Sequence, residues 1–123
     1  MATVPYVHVQ PSSGEGIPSG VEIYQWTLAA SDDGVPVVAP QFSGKAVTHD
    51  GGAGAVTMQG SLQMPSETET WATLHDPASA DLVLGPTTAE IRQVLEDCVQ
   101  IRPLNSAGGA AVVRLLLTTT SRR

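Results

Sequence analysis

Two segments near the end of the chain, Val99-Gln-Ile-Arg-Pro-Leu104 and Ala111-Val-Val-Arg-Leu-Leu-Leu-Thr118, decide the fold class. In the second segment every other side chain from 111 to 117 is apolar, which is the period of a β-strand with one buried face. In the first segment Val99 and Ile101 share a face in the same way. We therefore predict an antiparallel hairpin closed by the loop 105–110, with its apolar side covered by strands from earlier in the chain.

The composition favours one all-β domain. A chain of 123 residues can bury a sizeable core without metals or disulfides. Its 12 Gly and 9 Pro imply many turns between short strands. We predict an antiparallel two-sheet sandwich, a jelly roll of about eight strands, over residues 21–123, preceded by an N-terminal arm and linker over residues 1–20.

Further strands are predicted at Val21–Leu28, Val35–Ala39, Phe42–Thr48, Ala55–Leu62, Thr70–Leu74 and Asp81–Leu84. Trp26 is expected in the core, because large aromatic side chains contribute much of a small core. Val56, Met58 and Leu62 are expected to point inward. Thr87-Thr-Ala-Glu90 has the form of a capping box, which predicts one short helix near residues 88–96.

The negative net charge limits the classes of partner that the chain can bind. The formal net charge is −6 and no basic stripe occurs, so nucleic acid is a poor partner. The longest apolar run is too short to span a bilayer, and the sequence start lacks the features of a secretion signal. The one cysteine, Cys98, is expected to be a buried side chain.

No catalytic motif is found, and we predict that the protein is not an enzyme and needs no cofactor. His49-Asp50 and His75-Asp76 resemble metal ligands in residue type, but each pair lies at a predicted turn and no spacing connects them. We interpret both pairs as turn residues and predict no metal site. Cys98 has no activating cation beside it, and no G-x-S-x-G elbow occurs.

The residues that we expect to bind a partner are Tyr6, Val7, His8, Val9, Arg102 and Arg114. The segment Tyr6–Val9 is either a frayed terminus or an arm that adds a strand to a neighbouring subunit. Arg102 and Arg114 are expected on the outward, wetter faces of the last two strands, with Gln100 beside Arg102. They either bind a partner or are merely solvated.

The order of several motifs resembles that of capsid decoration, or cement, proteins of tailed bacteriophages. These motifs are Trp26-Thr-Leu28, Asp33-Gly-Val-Pro-Val37, Val56-Thr-Met-Gln-Gly-Ser61, Trp71-Ala-Thr-Leu-His-Asp76, Ile101-Arg-Pro103 and the terminal Arg122-Arg123. The likeness runs from about residue 21 to the end. The segment from Leu62 to Glu69 departs from the pattern of that family.

The resemblance implies a jelly-roll protein that binds the major capsid protein on the outside of the virion, after synthesis in the host cytoplasm. It also implies a homo-oligomer, a dimer or a trimer. Two alternatives stay open at this point: a glycan- or receptor-binding module on the virion, and a tail or connector component. Glycan binding usually needs exposed flat aromatic rings, and this chain has few aromatic residues.

Overall fold

The computed structural model describes residues 2–9, 21–38 and 44–118, and these residues form twelve strands and no helix. The strands are β1 (Thr3–Val4), β2 (Val7–Val9), β3 (Val21–Leu28), β4 (Asp33–Gly34), β5 (Val37–Val38), β6 (Gly44–Asp50), β7 (Ala55–Ser61), β8 (Ala72–Thr73), β9 (Val83–Leu84), β10 (Ala89–Gln93), β11 (Gln100–Ala107) and β12 (Ala111–Thr118). Three predicted features lie outside the described residues: the linker up to residue 20, the segment around Phe42, and the terminal arginines.

The strands form two sheets. The seven-stranded sheet has the order β1-β4-β11-β7-β8, with β5 also paired to β11 and β9 also paired to β7. The five-stranded sheet has the order β10-β6-β12-β3-β2. With β4/β5 and β8/β9 each counted as one interrupted strand, and β1 and β2 set aside, eight strands remain in the order of a jelly roll. The predicted two-sheet sandwich is confirmed.

The core lies between the two sheets. Trp26 is fully buried, as expected, and its indole nitrogen donates to the Val35 carbonyl oxygen at 3.0 Å. The alternating apolar side chains of β12 are buried too: Ala111, Val113, Leu115 and Leu117. Gly34 packs directly against the indole, because a Cβ atom at this position would lie 2.5 Å from the ring. The Trp26 indole therefore leaves no room for a side chain at position 34.

The predicted hairpin between the last two strands is wrong. β11 pairs with β4, β5 and β7 in the seven-stranded sheet, whereas β12 lies between β6 and β3 in the five-stranded sheet. Each strand is central in its own sheet, so neither has an edge left to pair with the other. Gly108, with a φ of 100°, lies in the short turn that carries the chain across the sandwich.

The predicted helix near residues 88–96 is also wrong. Residues Ala89–Gln93 form β10, which pairs antiparallel with β6 along its whole length. Thr87 has a φ of 62° and its hydroxyl donates to the Pro86 carbonyl oxygen, so it does not have the extended backbone of a helix N-cap. The Glu90 carboxylate accepts from the Gly85 amide. A helix of this length is marginal by itself because nucleation is costly, whereas pairing with β6 forms backbone hydrogen bonds along residues 89–93.

Two predictions of side-chain burial are corrected, one at the end of β7 and one at the start of β11. Leu62 is 71% exposed, whereas Ser61 is buried. Gln100, expected on a wetter face, is only 2% exposed, because its amide nitrogen donates to the Gln63 carbonyl oxygen at 3.0 Å and to the Glu69 carboxylate. The loop that follows β7 therefore folds back over the outer side of β11.

The N-terminal residues pair with both sheets of their own chain. β2 adds to β3 at the edge of the five-stranded sheet, and β1 runs parallel to β4 in the other sheet. The Thr3 hydroxyl donates to the Asp33 carboxylate at 2.8 Å. This segment therefore closes one open side of the sandwich.

We predict that Leu115→Ala lowers the free energy of unfolding by about 2–5 kcal/mol, because it leaves a cavity between the sheets. Leu62→Ala is the matched control and should change that free energy by less than about 0.5 kcal/mol, since Leu62 is exposed. Urea unfolding followed by tryptophan fluorescence measures both. Equal losses in the two variants would contradict the assignment of the inner face.

Candidate docking surfaces

The five-stranded sheet has an unusual outer face. Its outward side chains, taken from strand register and burial, are Val7, Val9, Val21, Ile23, Gln25, Thr27, Gly44, Ala46, Thr48, Asp50, Ala89, Ile91, Gln93, Val112, Arg114, Leu116 and Thr118. We call this surface the outer face. Antiparallel sandwiches usually expose a polar side to water. Here aliphatic side chains predominate.

Two rows of side chains cross all five strands on the outer face. The first contains Val7, Gln25, Arg114, Thr48 and Ile91. Val7 is 62% exposed and Ile91 is 76% exposed, so both ends of this row are apolar and open. The second row contains Val9, Ile23, Leu116, Ala46 and Gln93, and its four apolar members are half-buried. The outer face is therefore apolar at both ends of the first row and along most of the second.

Charge is scarce on the outer face. Among its described residues only Arg114 and Asp50 are charged. The Arg114 Nε donates to Gln25 Oε1 at 2.7 Å. Asp50 Oδ1 accepts from the amides of Gly52 at 3.0 Å and Val112 at 3.1 Å. Burial alone would raise the pKa of Asp50, but these hydrogen bonds lower it, so the carboxylate stays ionised at neutral pH.

The outer side of the seven-stranded sheet is polar by comparison. The Arg102 guanidinium lies 4.1 Å from the centre of the Trp71 ring, donates to Gln59 Oε1 at 2.9 Å and pairs with Asp33 at 3.4 Å. The guanidinium thus has a cation–π partner, a hydrogen bond and an ion pair within its own chain. It cross-links three strands rather than presenting an unpaired charge to solvent.

A groove of about 400 Å³ opens at the β7–β8 edge of the seven-stranded sheet. Apolar atoms of Leu62, Ala72 and Leu74 line it, together with the partly buried Cys98. Exposed apolar side chains continue beyond it, since Met64 in the following loop is 47% exposed. Its polar lining includes Glu96 and Asp97. The groove therefore combines an apolar interior with an acidic rim.

His75, which lines the groove, contacts two acidic side chains. Its Nδ1 contacts a Glu96 carboxylate oxygen, its backbone amide donates to the other Glu96 oxygen at 2.8 Å, and its Nε2 lies 3.3 Å from Asp81. The hydrogen bond with Glu96 raises the pKa of the His75 imidazole. Burial alone would raise the pKa of Glu96, but hydrogen bonds from the backbone amide and the imidazole of His75 lower it. Both pKa shifts favour the ion pair between the two groups.

One of the two predicted turn pairs is confirmed and the other is corrected. Asp76 begins a turn, as predicted, whereas His49 and Asp50 are the last two residues of β6 rather than part of the turn that follows it. The buried His49 ring accepts from the Gly51 amide at 2.9 Å and contacts the Gly54 carbonyl oxygen at 2.7 Å, which shapes the turn between β6 and β7. Asp76 accepts from the amides of Ala78 and Ala80, each at 3.0 Å. In the part of the chain that the structure describes, no group of three His, Cys, Asp or Glu side chains could hold a metal ion. Within the same part, no helix is long and apolar enough to cross a membrane.

The six predicted partner-binding residues lie on several surfaces. Val7, Val9 and Arg114 come together on the outer face. Tyr6 and His8 turn toward the side of the sandwich: Tyr6 packs edge-on against Tyr24, with centroids 5.1 Å apart, and His8 pairs with Glu22 at 2.6 Å. Arg102 belongs to the other sheet.

Sequence reasoning missed the apolar members of the outer face on neighbouring strands. Ile23, Ile91 and Leu116 are the largest of them. One signal was present in the sequence: the last strand carries Val112 and Leu116 on the side opposite its core residues, so both of its sides are largely apolar. A strand with two apolar sides is typical of burial on both faces.

Comparison with known proteins finds structural likenesses but no family for this chain. The sequence matches no protein-family model and no curated protein. Among solved structures the chain is similar to a cupin domain from Bordetella pertussis Tohama I (TM-score 0.47, 9% identity, 98% of this chain and 99% of that one). It is also similar to a cupin 2 domain-containing protein from Halorhodospira halophila (TM-score 0.49, 8% identity, 98% of this chain and 68% of that one).

A third similar structure is an uncharacterized conserved protein with a double-stranded β-helix domain from Klebsiella pneumoniae (TM-score 0.43, 15% identity, 94% of this chain and 81% of that one). With TM-scores below 0.5, these likenesses carry no conclusion for this chain. No activity or ligand is carried over from these proteins.

The His75–Glu96 pair predicts a pH-dependent contribution to stability. Because the pKa of His75 is raised in the folded state, its contribution is fully present below about pH 6.5 and is lost as pH rises through the raised value. The contribution of Glu96, whose pKa is lowered, is lost only as pH falls below its ordinary range. His75→Gln should therefore lower the urea midpoint at pH 6 more than at pH 9. The control is the double variant that carries both His75→Gln and Glu96→Gln. If His75→Gln lowers the urea midpoint by the same amount at every pH from 6 to 9, the assignment is refuted.

Burial raises the pKa of the Cys98 thiol to about 11. At pH 8 the native thiol should therefore react with a disulfide reagent roughly 100-fold more slowly than an ordinary cysteine, because the thiolate is the nucleophile. Unfolding in urea should restore the ordinary rate, and labelling followed by mass spectrometry measures both rates. Fast labelling of the native protein would contradict this environment for Cys98.

Proposed function

We propose that the protein is a virion structural protein that binds the outer surface of a phage capsid and stabilises it, without catalysing a reaction. The observation that carries the proposal is the groove at the β7–β8 edge, with exposed apolar side chains beside it. An exposed apolar surface with a polar rim is typical of a protein interaction site. The resemblance to decoration proteins in motif order suggests the capsid as partner.

The charges around the groove indicate the chemistry of the capsid segment. Glu96 and Asp97 line the groove, and Glu67 and Glu69 belong to the loop that follows Leu62. His75 and Lys45 balance only part of this charge. A capsid segment with an apolar side chain flanked by basic residues fits the groove best, since the apolar part would fill it and the cations would meet the rim.

The glycan-binding alternative has less support. Trp26 is fully buried, and one side of the Trp71 ring is covered by Arg102. A sugar usually stacks on one open aromatic face; Trp26 offers none, and Arg102 already covers one of the two faces of Trp71. We therefore favour a protein partner.

The test uses heads of the phage that encodes the chain, prepared without this protein. The wild type should co-sediment with these heads and raise their melting temperature, more strongly at low salt than at high salt. Ala72→Arg places a bulky cation in the groove and should weaken binding by about 2 kcal/mol, roughly 30-fold. Leu62→Ser, at a position that is 71% exposed, should weaken it without affecting folding.

Ala78→Arg is the matched control, since Ala78 is exposed in a turn and does not line the groove. It should bind like the wild type. If the wild type neither sediments with the heads nor stabilises them, the proposed function is wrong. If Ala72→Arg binds as tightly as Ala78→Arg, the groove is not the docking site. Copy number per particle distinguishes the remaining alternative, because a tail or connector part would be present in far fewer copies than a decoration protein.

A further inference from the structure

We propose that the outer face of the five-stranded sheet is the interface between two copies of this chain, related by a twofold axis. The outer face is distinct from the groove and belongs to the other sheet. This inference therefore goes beyond the proposed function and does not depend on it. Three observations carry it: the apolar character of the outer face, its size, and the arrangement of its two charges.

The size of the outer face matches a small dimer interface. Five strands about 4.8 Å apart and four rows of side chains about 7 Å apart give a patch of roughly 500 Å². Two such patches bury roughly 1,000 Å², which is the lower limit for a specific protein interface. We therefore expect a dimer with a dissociation constant in the micromolar range.

The two charges are complementary to a second copy of the same surface. Arg114 stands opposite Thr48 in the strand register, and Asp50 lies two residues further along the same strand as Thr48. Such diagonal neighbours are about 7–8 Å apart. A twofold axis that lies in the interface plane, midway between them and perpendicular to the line that joins them, puts Arg114 opposite Asp50 of the second copy. The same axis puts Asp50 opposite the second Arg114, as an isologous interface requires.

Both charged groups have hydrogen-bonding capacity left for this contact. Only the Nε of Arg114 has a partner among the described residues, Gln25, which leaves the two terminal nitrogens of the guanidinium. Asp50 uses Oδ1 for the Gly52 and Val112 amides, and its Oδ2 has no hydrogen-bond partner in the described part of the chain. In this contact each buried charge gains a partner of opposite sign. An apolar surface would instead remove the charge from water without supplying one.

The arrangement also excludes some alternatives for a twofold contact. An axis that passed through Arg114 would place two guanidinium groups against each other, which is unfavourable. An apolar partner surface without a carboxylate would leave Arg114 buried and unpaired. A second copy, placed as described, supplies both the apolar surface and the acid.

The experiment measures self-association by sedimentation velocity over a range of protein concentrations. The wild type should be a dimer in the micromolar range. Arg114→Asp and Asp50→Arg should each raise the dissociation constant roughly 30-fold or more, because each variant places like charges opposite each other at two positions. Mixing the two variants should restore a heterodimer, since one ion pair then forms with the native charges and the other with the charges exchanged.

A second pair of variants distinguishes loss of the interface from misfolding of the chain. Ile91→Asp, at a position that is 76% exposed on the outer face, should dissociate the dimer, whereas Leu62→Asp, at a position that is 71% exposed and lines the groove on the other sheet, should not. A wild type that stays monomeric at high concentration overturns the inference, and so does a mixture of the two charge variants that stays monomeric while each variant is folded. A dimer that Leu62→Asp disrupts and Ile91→Asp does not would place the interface elsewhere and overturn it too.

Discussion

The fold depends on one constraint: β11 and β12, which follow each other in sequence, are each central in a different sheet. Their apolar sides therefore face each other across the core, Ile101 from one sheet and Val113 and Leu115 from the other. The short turn between them is held by Asn105, whose buried amide donates to the carbonyl oxygens of Ala29 and Gly109 at 2.8 and 2.7 Å. One side chain thus connects the end of β3, the end of β11 and the turn.

The same constraint explains why the segment after residue 88 is a strand and how the groove arises. Two sheets that are joined at their centres remain open at the sides, and the chain closes one side by crossing from one sheet to the other. β10 pairs with β6 in the five-stranded sheet, and then the Leu95 amide donates to the carbonyl oxygen of His75, which follows β8 of the other sheet. Arg92 reinforces this crossing through an ion pair with Asp76 at 2.7 Å. The groove lies where the crossing segment ends, at residues 96–98.

The alternation of apolar residues predicted which side chains are buried, but it did not predict which strands pair with each other. The inner face of β12, the burial of Trp26 and the turn role of Asp76 follow from residue type and period, and these three predictions are confirmed. The separation of β11 and β12 into two sheets could not be predicted, because alternation gives the side that a strand buries but not its neighbours. The capping-box pattern at Thr87 failed for a related reason: local helix signals are weak where a strand edge is available for pairing.

The candidate surfaces were less predictable than the fold, since they combine residues that are distant in sequence. Arg114 and Val7 were identified individually, but the outer face becomes visible only when register places them in one row with Ile91. The outer face and the groove belong to different sheets, so occupation of one leaves the other accessible. A dimer formed through the outer face would therefore present two grooves related by the twofold axis. Attachment of the first groove to a capsid would make attachment of the second intramolecular, so that two weak contacts would hold the shell more tightly than either contact alone.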